Sequence, residues 1–210
     1  MNKSFMISSL VFFLSIGFVP LLAAAEQAAG KSKTLENLMA AFNGESNAHN
    51  RYLAFAKKAD EEGYGQVASL FRAAAAAEKV HFEHHAAVIA DMGGTPKADL
   101  TAPEVKSTRE NLEAAIKGES YERDVMYPEF VAEAKATKNT SAFRTFTYAL
   151  KVEAVHAALY KDALDKLDSL KGSSKKDYYI CPVCGNTVAA LDFKTCVISG
   201  TPRGKFTLVN

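Results

Sequence analysis

Two short motifs carry residue types that bind metal ions, and each pairs a glutamate with a histidine three positions later. They are Glu78-x-x-His81 and Glu153-x-x-His156. In a helix, residues three apart lie on one face, so each motif presents an oxygen donor beside a nitrogen donor. Hard oxygens with one imidazole per ion suit iron or manganese better than zinc. The spacing therefore predicts two similar half-sites for metal ions.

The two motifs belong to a longer internal repeat. Residues 34–46 recur at 108–120, which is 74 positions later, and the two Glu-x-x-His motifs are 75 positions apart. Glu45 in the first copy corresponds to Glu119 in the second. A repeat of this length implies two similar helical hairpins in a pseudo-twofold arrangement. Each hairpin would supply one single glutamate and one Glu-x-x-His pair.

Hydrophobic periodicity predicts four helices that position these residues. Glycine after a periodic run and Ser or Thr before one set their approximate limits, which are 34–62, 65–92, 108–136 and 141 to 170 or 172. The links within each hairpin are short, whereas the link between hairpins is long and contains two prolines. This connectivity is typical of a ferritin-like four-helix bundle. We therefore predict a mostly α fold, with the bundle over residues 32–171.

Each predicted helix places a carboxylate on its apolar face. Isolated buried carboxylates are costly, because an unpaired charge in a low-dielectric interior needs a partner. Two metal ions would supply that partner. One glutamate from each of two helices plus Glu-x-x-His from each of the other two is the ligand set of di-iron carboxylate proteins. The predicted bundle ligands are Glu45, Glu78, His81, Glu119, Glu153 and His156.

Three further residues are candidates for a catalytic role. Glu122 lies on the same face as Glu119, but its repeat counterpart is Ala48, so we expect an asymmetric site with an extra carboxylate near one metal. The alternative is that Glu122 points to solvent. Tyr52 and Tyr127 could donate hydrogen bonds to ligand carboxylates, or simply pack in the core. The remaining bundle histidines are interpreted as packing, surface or supporting residues: His49, His84 and His85.

The composition changes after the bundle. Residues 172–177 are charged and rich in Gly and Ser, which predicts a flexible linker. Residues 178–210 favour short strands and turns and hold all three cysteines. We therefore predict a small β-rich C-terminal domain.

The cysteines of this tail indicate a second metal site. Cys181-x-x-Cys184-Gly is a knuckle of the kind that holds iron or zinc through thiolates. A second pair would be Cys196 and Ser199, and Asp192 is another oxygen donor. Three interpretations remain open: a metal held by three cysteines with Ser199 or water, a Cys181–Cys184 disulfide, or a tail without metal.

The N-terminal residues predict export. Lys3 precedes an uncharged, apolar run that ends in Ala23-Ala24-Ala25, so residues 1–25 are interpreted as a signal peptide cut after about Ala25. The alternative is an uncleaved membrane anchor. Both interpretations place the rest of the chain outside the cytoplasm, in the periplasm or anchored and facing outward. The formal net charge of +1 indicates no nucleic-acid partner.

Several segments resemble the rubrerythrin family, and the resemblance covers residue 32 to the C-terminus. The tail resembles the rubredoxin-like domain of that family. The bundle segments are Gly44-Glu45-Ser46, Asn50-Arg51-Tyr52, Glu78-x-x-His81, Gly118-Glu119-Ser120-Tyr121-Glu122, Met126-Tyr127-Pro128-Glu129-Phe130 and Glu153-x-x-His156. The resemblance implies that seven residues bind two irons: Glu45, Glu78, His81, Glu119, Glu122, Glu153 and His156.

The resemblance also implies a reaction. It implies reduction of hydrogen peroxide to water in oxidative-stress defence. The electrons would come from an unidentified donor and pass through an iron in the tail. They would also pass between the subunits of a homodimer or larger homo-oligomer. Two features depart from the family pattern. One is the export signal, and the other is Ser199, which stands where a fourth thiolate is expected. Oxygen ligation by Ser199 should shift the reduction potential of a tail iron or abolish iron binding there. The alternative function is a ferroxidase or iron-binding protein that uses oxygen.

Overall fold

The computed structural model describes the backbone of residues 19–210 and the side chains of residues 33–210. The predicted signal peptide, residues 1–25, lies largely outside these described residues and stays a prediction. Within the described part, no helix combines the length and the apolar character that a membrane crossing requires.

Five α-helices and one π-helical turn build a four-helix bundle, which confirms the predicted fold class. The turn joins α3 to α4 without a break, so these two helices form one continuous helical rod. The helices are α1 (Val19–Glu61), α2 (Gly65–Asp91), α3 (Thr108–Tyr121), α4 (Tyr127–Ala136) and α5 (Thr140–Asp165), and the π-helical turn is Glu122–Met126. Helix α1 begins well before the predicted residue 34, because the alanine-rich segment ahead of it has high helix propensity.

Local signals fix where the helices begin and end. Ser107 and Glu110 form a reciprocal capping box at the start of α3, with 3.4 Å from the Glu110 amide to the Ser107 hydroxyl. The Asn139 side chain accepts from the Ala142 amide at 3.0 Å and caps α5. Gly63 follows α1 with a φ of 78°, a left-handed conformation that suits glycine.

The π-helical turn is a one-residue insertion in the second hairpin. Glu119 follows its counterpart Glu45 by 74 positions. Helix α4 ends 75 positions after the end of α1, and α5 starts 75 positions after the start of α2. The extra residue therefore lies inside the helical rod between Glu119 and Ala136. A π-helical turn accommodates one added residue and is frequent at functional sites.

The apolar core lies in two layers, one on each side of the predicted ligands. One layer includes Phe55, Phe71 and Tyr160, and the other includes Leu38 and Phe146. In α2 and α5 the Glu-x-x-His motifs fall between the residues that enter these two layers. The charged layer is therefore closed off from water at both ends.

The tail is a small antiparallel sheet packed along α2. Its strands are β1 (Tyr178–Ile180), β2 (Thr187–Val188) and β3 (Thr207–Val209), in the order β2-β1-β3. Tyr179 pairs with Val188 on one side and with Leu208 on the other. The predicted C-terminal β domain is present.

The linker is held to the bundle, although its composition predicts flexibility. The Gly172 amide donates to the Gly63 carbonyl at 2.8 Å, and the Lys176 amide donates to the Ser69 hydroxyl at 3.1 Å. These backbone contacts, which composition does not reveal, direct the tail along α2 of the same chain.

Candidate metal centre

Six of the predicted ligands converge halfway along the bundle, and none is more than 3% exposed. They form two groups in which the donor atoms all lie within 4.8 Å of one another. One group is Glu45, Glu78, His81 and Glu153, and the other is Glu78, Glu119, Glu153 and His156.

Glu78 and Glu153 belong to both groups. Each group is completed by one residue pair of its own, Glu45 with His81 and Glu119 with His156. A carboxylate has two oxygens, so the two shared glutamates can each bridge two metal ions. Glu78 and Glu153 would therefore be shared by two metal ions, and each ion would also be held by one further glutamate and one histidine.

His81 Nδ1 lies 2.8 Å from Glu78 Oε2, but several other donor atoms have no hydrogen-bond partner among the described residues. His156 Nδ1 lies 3.1 Å from Glu78 Oε1 and 3.1 Å from Glu153 Oε2, yet it makes no hydrogen bond. Buried oxygens of Glu45 and Glu119 also have no partner among the described residues. Ligands at about 2.1 Å from one metal ion, at right angles, are about 3 Å apart. These unpaired atoms fit two metal ions.

The pKa values show how unfavourable this layer is without a cation. Burial raises the pKa of Glu119 to about 8, and the charges of Glu78 and Glu153 add to that rise. Burial likewise raises the pKa of Glu45. His156 has its pKa raised well above the usual value by Glu78, Glu119 and Glu153, against the effect of burial. Without metal ions, the carboxylates and imidazoles of the centre therefore bind protons instead.

Two tyrosines hold the terminal carboxylates. Tyr52 donates to Glu119 Oε1 at 2.7 Å, and Tyr127 donates to Glu45 Oε1. Both rings are essentially unexposed. Each tyrosine lies in one hairpin and contacts the glutamate of the other, so the pair ties the two halves together and orients one oxygen of each terminal ligand.

Glu122 stands apart from the six converging ligands. It lies at the start of the π-helical turn and belongs to neither group of donor atoms. Its carboxylate faces Gly44, where an added Cβ would lie 3.9 Å from Glu122 Oε1. Burial and the nearby Glu45 and Glu119 raise its pKa well above the usual value. Glu122 therefore lies near the centre but is not one of the six residues whose donor atoms come together there.

The tail contacts both ligand histidines on the side facing away from the metal positions. His81 Nε2 lies 3.1 Å from the Cys184 carbonyl oxygen, and His156 Nε2 lies 3.1 Å from Thr187 Oγ1. A carbonyl only accepts, so Nε2 of His81 carries the hydrogen and its Nδ1 remains free for a metal. Gly185 makes this approach possible, because a Cβ there would lie 2.6 Å from His81 Nε2.

Comparison with known proteins agrees with this geometry. The family model described as Rubrerythrin matches residues 36–164. This chain belongs to the rubrerythrin family. The family and the paired Glu/His groups together support a di-iron centre and an oxidoreductase.

Relatives with rubrerythrin names match most of the chain. Nigerythrin from Nitratidesulfovibrio vulgaris is 40% identical, covering 87% of this chain and 90% of nigerythrin. Rubrerythrin-2 from Clostridium acetobutylicum is 36% identical, covering 82% of this chain and 95% of that protein. The all-ferrous structure of nigerythrin superposes with a TM-score of 0.77, covering 83% of this chain and 86% of that one.

The likeness extends to ferritins in fold alone. A bacterioferritin structure from Desulfovibrio desulfuricans, 20% identical, has a TM-score of 0.65 and covers 81% of this chain and 98% of its own. This confirms the ferritin-like fold of the rubrerythrin bundle.

The tail brings four candidate donors together. The sulfurs of Cys181, Cys184 and Cys196 form a buried group within 4.8 Å of one another, and all three are free thiols. Ser199 Oγ lies 3.3 Å from Cys181 Sγ. Asp192 has no place in this group.

Two equivalent knuckles explain the position of Ser199. Gly185 and Gly200 each donate to the carbonyl of the cysteine four residues earlier, at 2.9 Å, with φ values of 78° and 76°. Ser199 therefore occupies in the second knuckle the place that Cys184 occupies in the first. Hydrogen bonds, chiefly from Cys184 and then from Ser199, lower the pKa of Cys181 to about 4. One thiolate is thus favoured before any metal binds.

Sequence reasoning left His85 open between a surface and a supporting role. The structure agrees with the supporting role, because His85 is fully buried and contacts Tyr127 and Thr145, two partners that the sequence did not reveal. A signal was available, since His85 lies four positions after His81 on the same helical face. His49, by contrast, packs in the bundle against the Ala75 carbonyl at 2.6 Å.

Proposed function

We propose that this rubrerythrin-family protein is an exported peroxidase that reduces hydrogen peroxide to two molecules of water, using two electrons and two protons. One observation carries the proposal: two buried groups of metal ligands share Glu78 and Glu153. These residues would hold two metal ions next to each other in one buried layer. When bound there, two irons supply the two electrons and stabilise the separating oxygens.

The protein's own residues create the conditions for this reaction. The carboxylates would offset the charge of the metals in a buried layer. Tyr52 and Tyr127 fix the terminal carboxylates of Glu119 and Glu45, which leaves the opposite oxygens free to bind metal. Glu122 is proposed as an additional carboxylate that assists turnover next to the centre.

We assign the tail the role of electron entry. A metal held by Cys181, Cys184, Cys196 and Ser199 would receive electrons from an as yet unidentified donor. The Cys184 carbonyl accepts from His81, which gives a path of few bonds from the knuckle to a bundle ligand. The family resemblance implies transfer between subunits of a homo-oligomer, whereas the contact described here lies within one chain. Export is proposed on the N-terminal sequence alone.

Metal content and oxidation kinetics of the mature protein, loaded anaerobically with Fe(II), test the proposal. We expect two irons in the bundle and oxidation by peroxide at least about tenfold faster than by oxygen. The matched control is Glu153→Gln, which keeps the shape but removes one bridging charge and should impair iron loading. Faster oxidation by oxygen would instead indicate a ferroxidase, and a bundle without iron would overturn the proposal.

A further inference from the structure

A buried chain of hydrogen bonds leads away from the metal centre on one side. Tyr127 donates to Glu45 Oε1, His85 Nε2 lies 3.1 Å from the Tyr127 hydroxyl, and His85 Nδ1 lies 3.1 Å from Thr145 Oγ1. Tyr127 and His85 are fully buried, and Thr145 is 6% exposed. The three side chains come from α4, α2 and α5, so only the assembled bundle forms the chain.

The outer end of this chain reaches solvent. Thr145 lines an open cleft of about 260 Å³ between α2, α5 and the tail. His84, Ser141, Arg144 and Tyr148 also line the cleft and contribute polar groups to its wall. Water in the cleft can therefore approach Thr145, the first member of the chain.

The hydrogen bonds have one consistent direction. The single hydrogen of Tyr127 goes to Glu45, so Tyr127 can only accept from His85. Nε2 of His85 then carries the hydrogen, and Nδ1 accepts from the Thr145 hydroxyl. Burial, with the nearby His81 and His84, lowers the pKa of His85 well below its usual value, which keeps the ring neutral. Every hydrogen in the chain therefore points towards Glu45.

The other half of the bundle lacks this chain, although it has the equivalent positions. The repeat matches Tyr127 with Tyr52, which donates to Glu119. It matches His85 with Tyr160, whose buried hydroxyl has no hydrogen-bond partner among the described residues, and Thr145 with the apolar Leu70. The polar chain is therefore a feature of one half alone and does not follow from the pseudo-twofold symmetry.

We propose that Thr145, His85 and Tyr127 conduct protons from the cleft to Glu45 at the metal centre. This rests on the proposed function, in which each peroxide consumes two protons at a site closed to water. In one transfer, Tyr127 gives its proton to Glu45 and takes one from Nε2 of His85. Nδ1 takes one from Thr145, and a hydronium ion in the cleft restores the Thr145 hydroxyl and is left as water. One proton is added to Glu45, and His85 is left as the Nδ1–H tautomer. Before the next transfer, the ring loses the Nδ1 proton and gains one at Nε2 by exchange with water.

Kinetics of variants test this path. His85→Gln keeps a donor and an acceptor but no relay between ring nitrogens, and Thr145→Val keeps the shape. We expect both to slow oxidation of the diferrous protein at least tenfold with either oxidant and to enlarge the solvent isotope effect. The matched control Tyr160→Phe should leave both unchanged. Wild-type rates and isotope effects in both iron-loaded variants would overturn the path.

A second readout does not depend on turnover. In ¹⁵N-labelled, Zn(II)-loaded protein, NMR should show His85 as the neutral Nε2–H tautomer, and the Nδ1–H tautomer or a cation would contradict the proposal. The peroxidase proposal is judged separately, by the wild-type preference for peroxide over oxygen. The path is judged by the ratio of variant to wild-type rates with each oxidant.

Discussion

Replacing Gly185 by alanine should separate the tail from the metal centre. The new Cβ would lie 2.6 Å from His81 Nε2 and 3.2 Å from the Ala77 carbonyl oxygen. Neither neighbour can yield, since His81 is a buried candidate metal ligand and Ala77 is helical backbone. The tail must move instead, and His81 loses the Cys184 carbonyl as its hydrogen-bond acceptor.

The size of the effect follows from that lost hydrogen bond. A buried N–H left without a partner costs about 1–3 kcal/mol, which corresponds to roughly 5- to 150-fold in metal affinity. Loss of such an outer contact to a ligand typically weakens metal binding or activity by about 10–100-fold. We therefore expect Gly185→Ala to weaken Fe(II) binding at the His81 position by roughly tenfold or more.

Gly200→Ala is the matched control. Gly200 has nearly the same φ, 76° against 78°, in the equivalent knuckle, but nothing lies within 4 Å of a Cβ placed there. Both variants carry the cost of a left-handed alanine, about 1–2 kcal/mol, so this cost cancels in the comparison. Anaerobic competition titrations with Fe(II) measure the difference. Equal affinities in the two variants would refute the inferred contact between the tail and His81.

Three further predictions follow from the charges around the two centres. Iron must displace a proton from Glu119, whose pKa of about 8 leaves it protonated below that value, and the pKa of Glu45 is raised as well. Fe(II) affinity should therefore fall at least about tenfold per pH unit as the pH drops from 8 to 6; titrations showing flat affinity would contradict this. Ser199→Cys replaces a hard oxygen donor by a soft sulfur donor and should raise the reduction potential of a tail iron by at least about 59 mV. A spectroelectrochemical titration that shows an unchanged or lower reduction potential would argue against Ser199 as a ligand. Glu122→Ala should preserve iron loading, because Glu122 lies outside both ligand groups, yet slow peroxide oxidation roughly tenfold or more; unchanged stopped-flow rates would remove Glu122 from the reaction.

The π-helical turn shows the limit of reading the repeat. The offset between corresponding residues of the two repeat copies changes from 74 at Glu119 to 75 at Glu153, which indicates one inserted residue. The repeat alone places it between Glu119 and Tyr127, because Tyr127 already matches Tyr52 at an offset of 75. Only the helix limits place it at Glu122–Met126, because a helix absorbs an added residue by a local change in hydrogen bonding that leaves the sequence periodicity on either side intact.

The sequence by itself determined the family, the bundle and the ligand types. Helical periodicity depends on neighbours three and four positions apart, so Glu78 and His81 could be placed on one buried face without coordinates. The repeat then paired each ligand with its counterpart, and Cys181, Cys184 and Cys196 indicated the tail site with Ser199 in the fourth place.

The tertiary structure decided how these parts meet. It determined that Glu78 and Glu153 are shared between the two groups, that the tail covers the outer nitrogens of both ligand histidines, and that His85 connects Thr145 to Tyr127. Each of these contacts joins residues far apart along the chain. Periodicity reports which face of a helix is buried, whereas the partner that a buried atom meets depends on how helices and tail pack together.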